Sequence, residues 1–259
     1  MLLFLMTTIY TYAQSIDFGI RGDIASAWLL NGNVFSGKGD QGYRISASGA
    51  YGIHGAVNFS HGYGLQLEII KGNIHQGYSG SFSNGYSFTT AGGITAYKGG
   101  SFSAVTDISL IKIPILFRHE RELSGKYWEA GLGYEVITGG TYTATYTNPP
   151  QAIGSDITGQ LPKGNFIAII GTGWNKRFNR ESNFYFNMGF RLEYGLFDLM
   201  GVDGHGQNLT GPKSVILYEQ PNPYYKTYHS THSLELSFNV GLFYRFYPKA
   251  MLHKRVVDF

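Results

Sequence analysis

The sequence predicts an all-β fold: an eight-stranded antiparallel up-and-down transmembrane β-barrel with short periplasmic turns and long extracellular loops. Three observations predict it. Apolar residues recur at every second position in segment after segment from Ser15 onward, the pattern of strands with one oily face, and eight such segments can be read. Glycine is frequent (36 of 259 residues) and aromatics reach 16%, while Asp, Glu, Lys and Arg together make only 14%, against roughly 25% in soluble domains. The connections between segments alternate short and long, as in barrels of the bacterial outer membrane.

The elements follow in order. Met1–Gln14 is apolar and uncharged, ends in a small residue at Ala13, and precedes the first charge at Asp17; it reads as a secretory signal peptide, 1–14, whose basic start is missing. The barrel is expected over 15–247 and a short periplasmic tail over 248–259. Segment 16–29 carries Phe18 and Ile20 on its apolar side, and 43–59 carries Ile45, Tyr51, Ile53 and Val57. Tyr63, Leu65, Leu67 and Ile69 then oppose Gln66, Glu68 and Ile70; Ile111, Ile113, Ile115 and Phe117 oppose Lys112, Pro114, Leu116 and Arg118. Trp128, Ala130, Leu132, Tyr134 and Val136 oppose Tyr127, Glu129, Gly131, Gly133 and Glu135. Segment 164–178 is apolar in both phases. The last two segments alternate most regularly: Phe184, Phe186, Met188, Phe190, Leu192 and Tyr194 share one face, as do Leu234, Leu236, Phe238, Val240, Leu242, Tyr244 and Phe246.

Short links are read at Asn58–Gly62, His119–Gly125 and Phe178–Ser182, and long ones near 30–42, 79–104, 148–162 and 198–228. With an even strand count, both ends of the mature chain fall on the side of the short turns. Pro114 is the misfit, since proline inside a strand forfeits a ladder hydrogen bond and a closed barrel has no edge to hide it. Trp28, Tyr43, Phe59, Tyr63, Trp128, Trp174, Phe184, Phe246 and Tyr247 lie near strand ends, where interfacial aromatic girdles form.

The polar faces carry Asp17, Arg21, Asp23, Arg44, Glu68, Lys112, Arg118, Glu129, Glu135, Arg191, Glu193, Glu235 and Arg245, seven acids and six bases. Turned inward, such a set can neutralise itself as a charge network. Eight strands leave an interior just wide enough for side chains to fill, so an open pore is not expected. A soluble barrel would have to bury these charges in a dry core while large aromatic faces stood in water, which soluble proteins avoid.

Composition excludes several classes. Without cysteine there is no disulfide, thiolate metal site or cysteine nucleophile. A net charge of +3 with no basic run lacks the footprint of a nucleic-acid binder. No 18-residue apolar stretch occurs, so no transmembrane helix is expected.

The strand Leu110-Ile-Lys-Ile-Pro-Ile-Leu-Phe-Arg118, a turn, the strand Trp128-Glu-Ala-Gly-Leu-Gly-Tyr134, and a penultimate strand running into Tyr194-Gly-Leu-Phe-Asp198 together resemble the PorT-like outer-membrane β-barrel family of Bacteroidetes. The resemblance implies an integral barrel, associated in that family with secretion or gliding machinery, and transfers no catalytic residue. The departure is at the C-terminus: Pro248–Phe259 follows Phe246-Tyr247, where such barrels end on an aromatic closing strand.

Candidate chemistry is sparse. His229-Ser-Thr-His232-Ser233 is the densest His/Ser cluster, and a lipid hydrolase would pair a serine and a histidine with an acid such as Glu235. On a strand, however, residues three apart point to opposite faces, and polar rim residues explain the cluster more simply. Asp198, Asp203 and His205 sit in a glycine-rich stretch that matches no defined calcium loop; no metal and no cofactor are expected. Loop 79–104 combines Ser and Gly with Phe82, Tyr86, Phe88, Tyr97 and Phe102, the mixture that binding loops use, and strand extensions beyond the membrane would account for it equally. Loop 198–228, with Pro212, Pro221 and Pro223, is a second binding candidate. The resulting expectation is a non-enzymatic outer-membrane barrel with a filled lumen. Its partners are outer-membrane lipids and envelope or secretion-complex proteins, met through the surface loops. A transporter or channel for small or hydrophobic solutes and a barrel-embedded lipid hydrolase are the alternatives.

Overall fold

The computed structural model describes residues 14–31, 41–81, 86–90, 93–97, 101–121, 124–147, 150–179, 182–199 and 230–247. Residues 1–13 of the signal segment, the tail 248–259, His229 and most of loop 198–228, including Asp203, His205, Pro212, Pro221 and Pro223, lie outside them.

Eight strands form the wall: β1 (Ser15–Asn31), β3 (Ala47–Asn58), β4 (Tyr63–Ser81), β7 (Ser101–Glu120), β8 (Lys126–Thr147), β10 (Gly164–Arg177), β11 (Phe184–Gly195) and β12 (Thr231–Phe246). Four short strands accompany them: β2 (Gln41–Arg44) on β4, β9 (Pro150–Asp156) on β8, and the hairpin β5 (Tyr86–Thr90) with β6 (Gly93–Tyr97). Every pairing is antiparallel, and β1 bonds both to β3 and to β12, so the ring closes. Closure satisfies the backbone N–H and C=O groups that hydrocarbon cannot.

Side-chain orientation follows the alternation. Phe18, Ile20, Ile53, Leu65, Leu67, Ile69, Ile115, Leu132, Ile170, Phe190, Leu236 and Leu242 are exposed on the outer surface, whereas Asp17, Glu68, Lys112, Glu129, Arg191 and Glu235 are buried inside. An exposed apolar belt that runs round the ring is incompatible with water on that face and is the surface a membrane barrel offers to lipid. Tyr63, Trp128, Trp174, Phe184 and Phe246 are exposed near the short-turn end, as girdle residues would be. Tyr43 departs from that expectation: it turns inward, packs on the buried core, and donates from its hydroxyl to the Leu29 carbonyl.

Short turns join β3 to β4, β7 to β8 and β10 to β11. His61 and Gly62 take positive φ in the first and Gly125 in the second. A Cβ on Gly125 would strike the Asn175 carbonyl, so only glycine suits that close approach. At the other end, β4 runs to Ser81 and β7 begins at Ser101, both inside the expected link 79–104, and the link 148–162 is not a plain loop because it holds β9. A bulge helps carry β8 upward: Ser109 pairs with Gly139 but Leu110 with Ile137. Thr138 is left over, and its hydroxyl donates to the Ser109 carbonyl. Before the bulge odd residues of β8 face inward; after it, Gly140, Tyr142 and Ala144 do.

Pro114 points into the interior without shifting the register of β7. The β4–β7 ladder runs through Leu67↔Ile115, skips the two positions opposite Pro114 and Ile113, and resumes unshifted at Ile70↔Lys112.

The belt makes a positional prediction. Leu67 lies midway between Tyr63 in the girdle and the exposed Lys71. Leu67→Arg is expected to cost about 2–4 kcal/mol in denaturant unfolding from lipid vesicles, and Lys71→Arg within about 1 kcal/mol of zero; equal costs at the two positions would remove the belt.

Candidate functional site

Inward phase and ring closure together place charged side chains from opposite walls within reach of one another. Glu68 on β4 is the hub. Arg21 of β1 donates to it from Nη1 at 2.7 and 2.9 Å, and Arg191 of β11 from Nη1 at 2.6 Å and Nη2 at 3.1 Å. Gln66 adds a bond at 2.7 Å, and His54 Nδ1 lies 3.3 Å away. In the ring order β1-β3-β4-β7-β8-β10-β11-β12, strands β4 and β11 stand opposite each other, so Arg191 spans the lumen. Its Nε also donates to Glu129 on β8, and Arg21 in turn holds Asp23.

Above this hub, Lys112 of β7 reaches across to Glu193 of β11 and Glu235 of β12 at 2.6 and 2.8 Å, with Glu135 alongside, bonded by Asn165 at 3.4 Å. Below it, Arg245 of β12 grips Asp17 at 2.8 and 2.9 Å and Glu120 at 3.1 Å. Asp17 also accepts from Asn58 and Tyr185. Among the described residues Arg118 meets no carboxylate within ion-pair distance; its guanidinium lies 3.8 Å over the Tyr127 ring. Buried pairs of this kind break even at best against apolar filling. Their work here is to fill and neutralise the space that the closed wall creates.

Glycines make room for the long side chains. A Cβ on Gly171 would sit 2.8 Å from Glu129 Oε1 and 3.0 Å from Arg191 Cγ. Gly19 and Gly241 leave space for the Phe243 ring, which packs on His54 with centroids 4.3 Å apart.

Nearer the loops the interior changes character. Leu29, Ile74, Tyr78, Phe102, Ile108, Leu110, Tyr142, Ile157, Leu161 and Leu199 form a continuous apolar plug. Leu199 is tied in by its N–H to the Thr231 carbonyl at 2.9 Å, and Asp198 accepts from the Thr231 N–H at 2.9 Å. The turn after β9 is held by Asp156, which accepts from the Thr158 N–H at 2.8 Å. The Thr158 side chain and N–H hold this exposed carboxyl below the usual carboxylate range.

Most of the sequence candidates for the lumen come together: Arg21, Asp23, Glu68, Lys112, Arg118, Glu129, Glu135, Arg191, Glu193, Glu235 and Arg245 all line the interior. Arg44 does not; it is exposed on β2, which continues the place of β3 beside the upper part of β4, where Tyr43 takes the inward phase and Arg44 the outward one. Among the loop aromatics, Phe102 is a core residue, 5% exposed, and not a surface contact. Tyr86, Phe88 and Tyr97 lie in the β5–β6 hairpin, and Phe82 lies outside the described residues. His54, Gln66 and Tyr185 join the network without having been singled out in the sequence, although each stands in the inward phase of its strand. Glu120 was hidden by its place at the start of a turn.

The hydrolase constellation is not assembled as the sequence suggested. Ser230 Oγ lies 3.0 Å from His232 Nε2, and His232 Nδ1 lies 3.0 Å from the Gly195 carbonyl, with Tyr194 stacked on the ring. Glu235 and Ser233, however, face the interior, where Glu235 is bound by Lys112. Among the described residues no group of His, Asp and Glu is arranged to hold a metal ion.

The network predicts asymmetric mutational costs. Arg191→Met strands Glu68 and Glu129 and is expected to lose about 3–5 kcal/mol of unfolding free energy in detergent. Gly171→Ala pushes the same pair apart and is expected to lose about 1–3 kcal/mol. A neutral Arg191→Met would mean the cross-lumen pairs do not form.

No family model and no curated protein matches the chain. Among solved structures it is similar to Ail, the attachment invasion locus protein of Yersinia pestis, at 11% identity over 89% of this chain and 98% of that one, with a TM-score of 0.35. It is also similar to Neisserial surface protein A at 12% identity (88% and 97% covered, TM-score 0.33). The outer membrane protease OmpT from Escherichia coli is similar at 9% identity (90% and 97% covered, TM-score 0.36). At such identities and scores the likeness bears on none of the residues described above. The closed eight-strand wall, the lipid-facing belt and the inward charges stand on their own: the chain is an integral membrane β-barrel of the outer-membrane type.

Proposed function

We propose that the chain is a bacterial outer-membrane protein that acts as a rigid scaffold, presenting its loop end to a binding partner rather than conducting solute. The observation that carries this reading is the filling of the interior in two tiers, cross-lumen ion pairs below and an apolar plug above. A solute path would have to break both. The extended strands β4, β7 and β8, with β2 and β9 laid against them, supply a platform that rises from the membrane, the kind of rigid support on which binding loops work.

The resemblance of Leu110–Arg118, Trp128–Tyr134 and Tyr194–Asp198 to the PorT-like family supports a finer version. On it, the partner is a component of a Bacteroidetes secretion complex, and residues 1–14 are the export leader. Removing 82–100 between β4 and β7 leaves the wall and plug intact on this reading.

Purified protein in planar bilayers is expected to give no conductance steps. The 82–100 deletion is expected to keep heat-modifiable gel mobility while losing envelope proteins that cross-link to the parent. Solute-dependent current from the parent would instead favour the transporter, and lipid turnover lost in Ser230→Ala would favour a hydrolase.

A further inference from the structure

The short-turn end of the barrel carries an uneven distribution of charge on its outer surface. Strands β7, β8 and β10 are neighbours in the ring. At their turn-side ends Arg121, Lys126 and Lys176 are all exposed. The register brings them to one edge: the Arg121 N–H bonds the Lys126 carbonyl at 2.8 Å, and Lys126 stands opposite Trp174. Lys176 lies two residues beyond Trp174 in the same outward phase. Directly above them in the belt are Phe117, Trp128 and Trp174, exposed by 43%, 46% and 43%.

No described carboxylate balances these three cations. Of the two acids that flank Arg121 in the sequence, Glu120 is drawn toward the interior by Arg245 at 3.1 Å, and Glu122 lies outside the described residues. The opposite sector of the same edge, formed by β12, β1, β3 and β4, presents Phe246, Tyr244, Phe18 and Tyr63 and no exposed Lys or Arg among the described residues. Tryptophan sits at headgroup depth, and lysine and arginine one step farther out extend their charge to the polar layer. Three cations on adjacent strands, lying just outside two tryptophans, form a seat for phosphate with acyl chains running up the neighbouring apolar wall.

We infer that this edge is a binding site for anionic phospholipid, with Arg121, Lys126 and Lys176 engaging the phosphodiester and Trp128 and Trp174 flanking the glycerol region. The occupant is a lipid rather than a soluble acidic protein because the cations are continuous with the belt. Part of any ligand they hold must lie against hydrocarbon-facing rings.

Intrinsic fluorescence tests this. In a Trp28→Phe background the two remaining tryptophans are Trp128 and Trp174, both at the edge. The protein is inserted into mixed vesicles of phosphatidylcholine and phosphatidylglycerol in which one lipid or the other is brominated at equal mole fraction. Brominated phosphatidylglycerol is expected to quench as though enriched about fivefold or more at the edge, what a single Lys or Arg at an anionic surface supplies. The preference is expected to shrink in 1 M salt, where screening cuts the reach of charge to about 3 Å.

Combined Arg121→Gln, Lys126→Gln and Lys176→Gln is expected to leave quenching by brominated phosphatidylcholine unchanged and to abolish the preference. Should the triple variant not fold, Lys126→Gln alone must reduce it. Equal quenching by both lipids in the parent, or a preference that survives the substitutions, overturns the proposal. So does capture of a periplasmic protein by these residues without any lipid preference. The inference rests on the chain spanning a bilayer, and failure of that premise is distinguishable, because then neither brominated lipid quenches.

Discussion

Closure of β1 on β12 is the constraint on which the rest of the structure depends. A strand edge left open in hydrocarbon would strand a row of backbone donors and acceptors with no water to satisfy them. The pairing that runs from Ile16↔Phe246 to Asn31↔Thr231 removes that edge. Once the wall is closed, an inside exists that lipid cannot reach, and side chains on the inward phase of every strand must fill it.

The filling is resolved differently at two heights. In the membrane tier the outward residues are apolar because lipid surrounds them, so the polar residues of each strand fall inside. There they meet as Arg191 and Arg21 on Glu68, and Lys112 between Glu193 and Glu235. Above Lys71 the surroundings become aqueous and the logic reverses. In β4, β7 and β8 the outward positions turn to Asn73, His75, Asp107, Thr141 and Thr143, while Ile74, Tyr78, Ile108, Leu110 and Tyr142 fold inward as an ordinary dry core. A barrel with a charged lower lumen and an apolar upper plug is one wall passing through two solvents.

The two rims then differ in what they offer. The loop end presents a rigid β platform whose own interior is sealed. The turn end presents cations on one sector and uncharged aromatic residues on the other. Glu235, which the sequence offered as a partner for the His/Ser cluster, belongs to the sealed interior and not to the rim, because His232 and Glu235 stand three residues apart on β12 and point to opposite faces. The barrel wall therefore separates its charged residues into those that hold the interior together and those left free to meet the surroundings.

Within the membrane tier the fold was legible in the sequence, because lipid imposes a strict two-residue period and few other environments do. The eight strands, the short turns and the inward acids and bases are all visible in that period, down to Glu68 opposing Leu67 and Ile69. What the sequence by itself determined is which residues shun water and which need a partner. Only the tertiary structure decided which partner each one finds. Strand order around the ring sets Arg191 opposite Glu68, turns Arg44 to the outer face of β2 while Tyr43 faces in, and converts Phe102 from a loop aromatic into a core residue. The physical reason is that period reports the local surroundings of a strand, whereas distances across a lumen depend on closure. The reversal of polarity between the two faces above Lys71 also depends on where the membrane ends, a boundary set by the assembled wall as a whole.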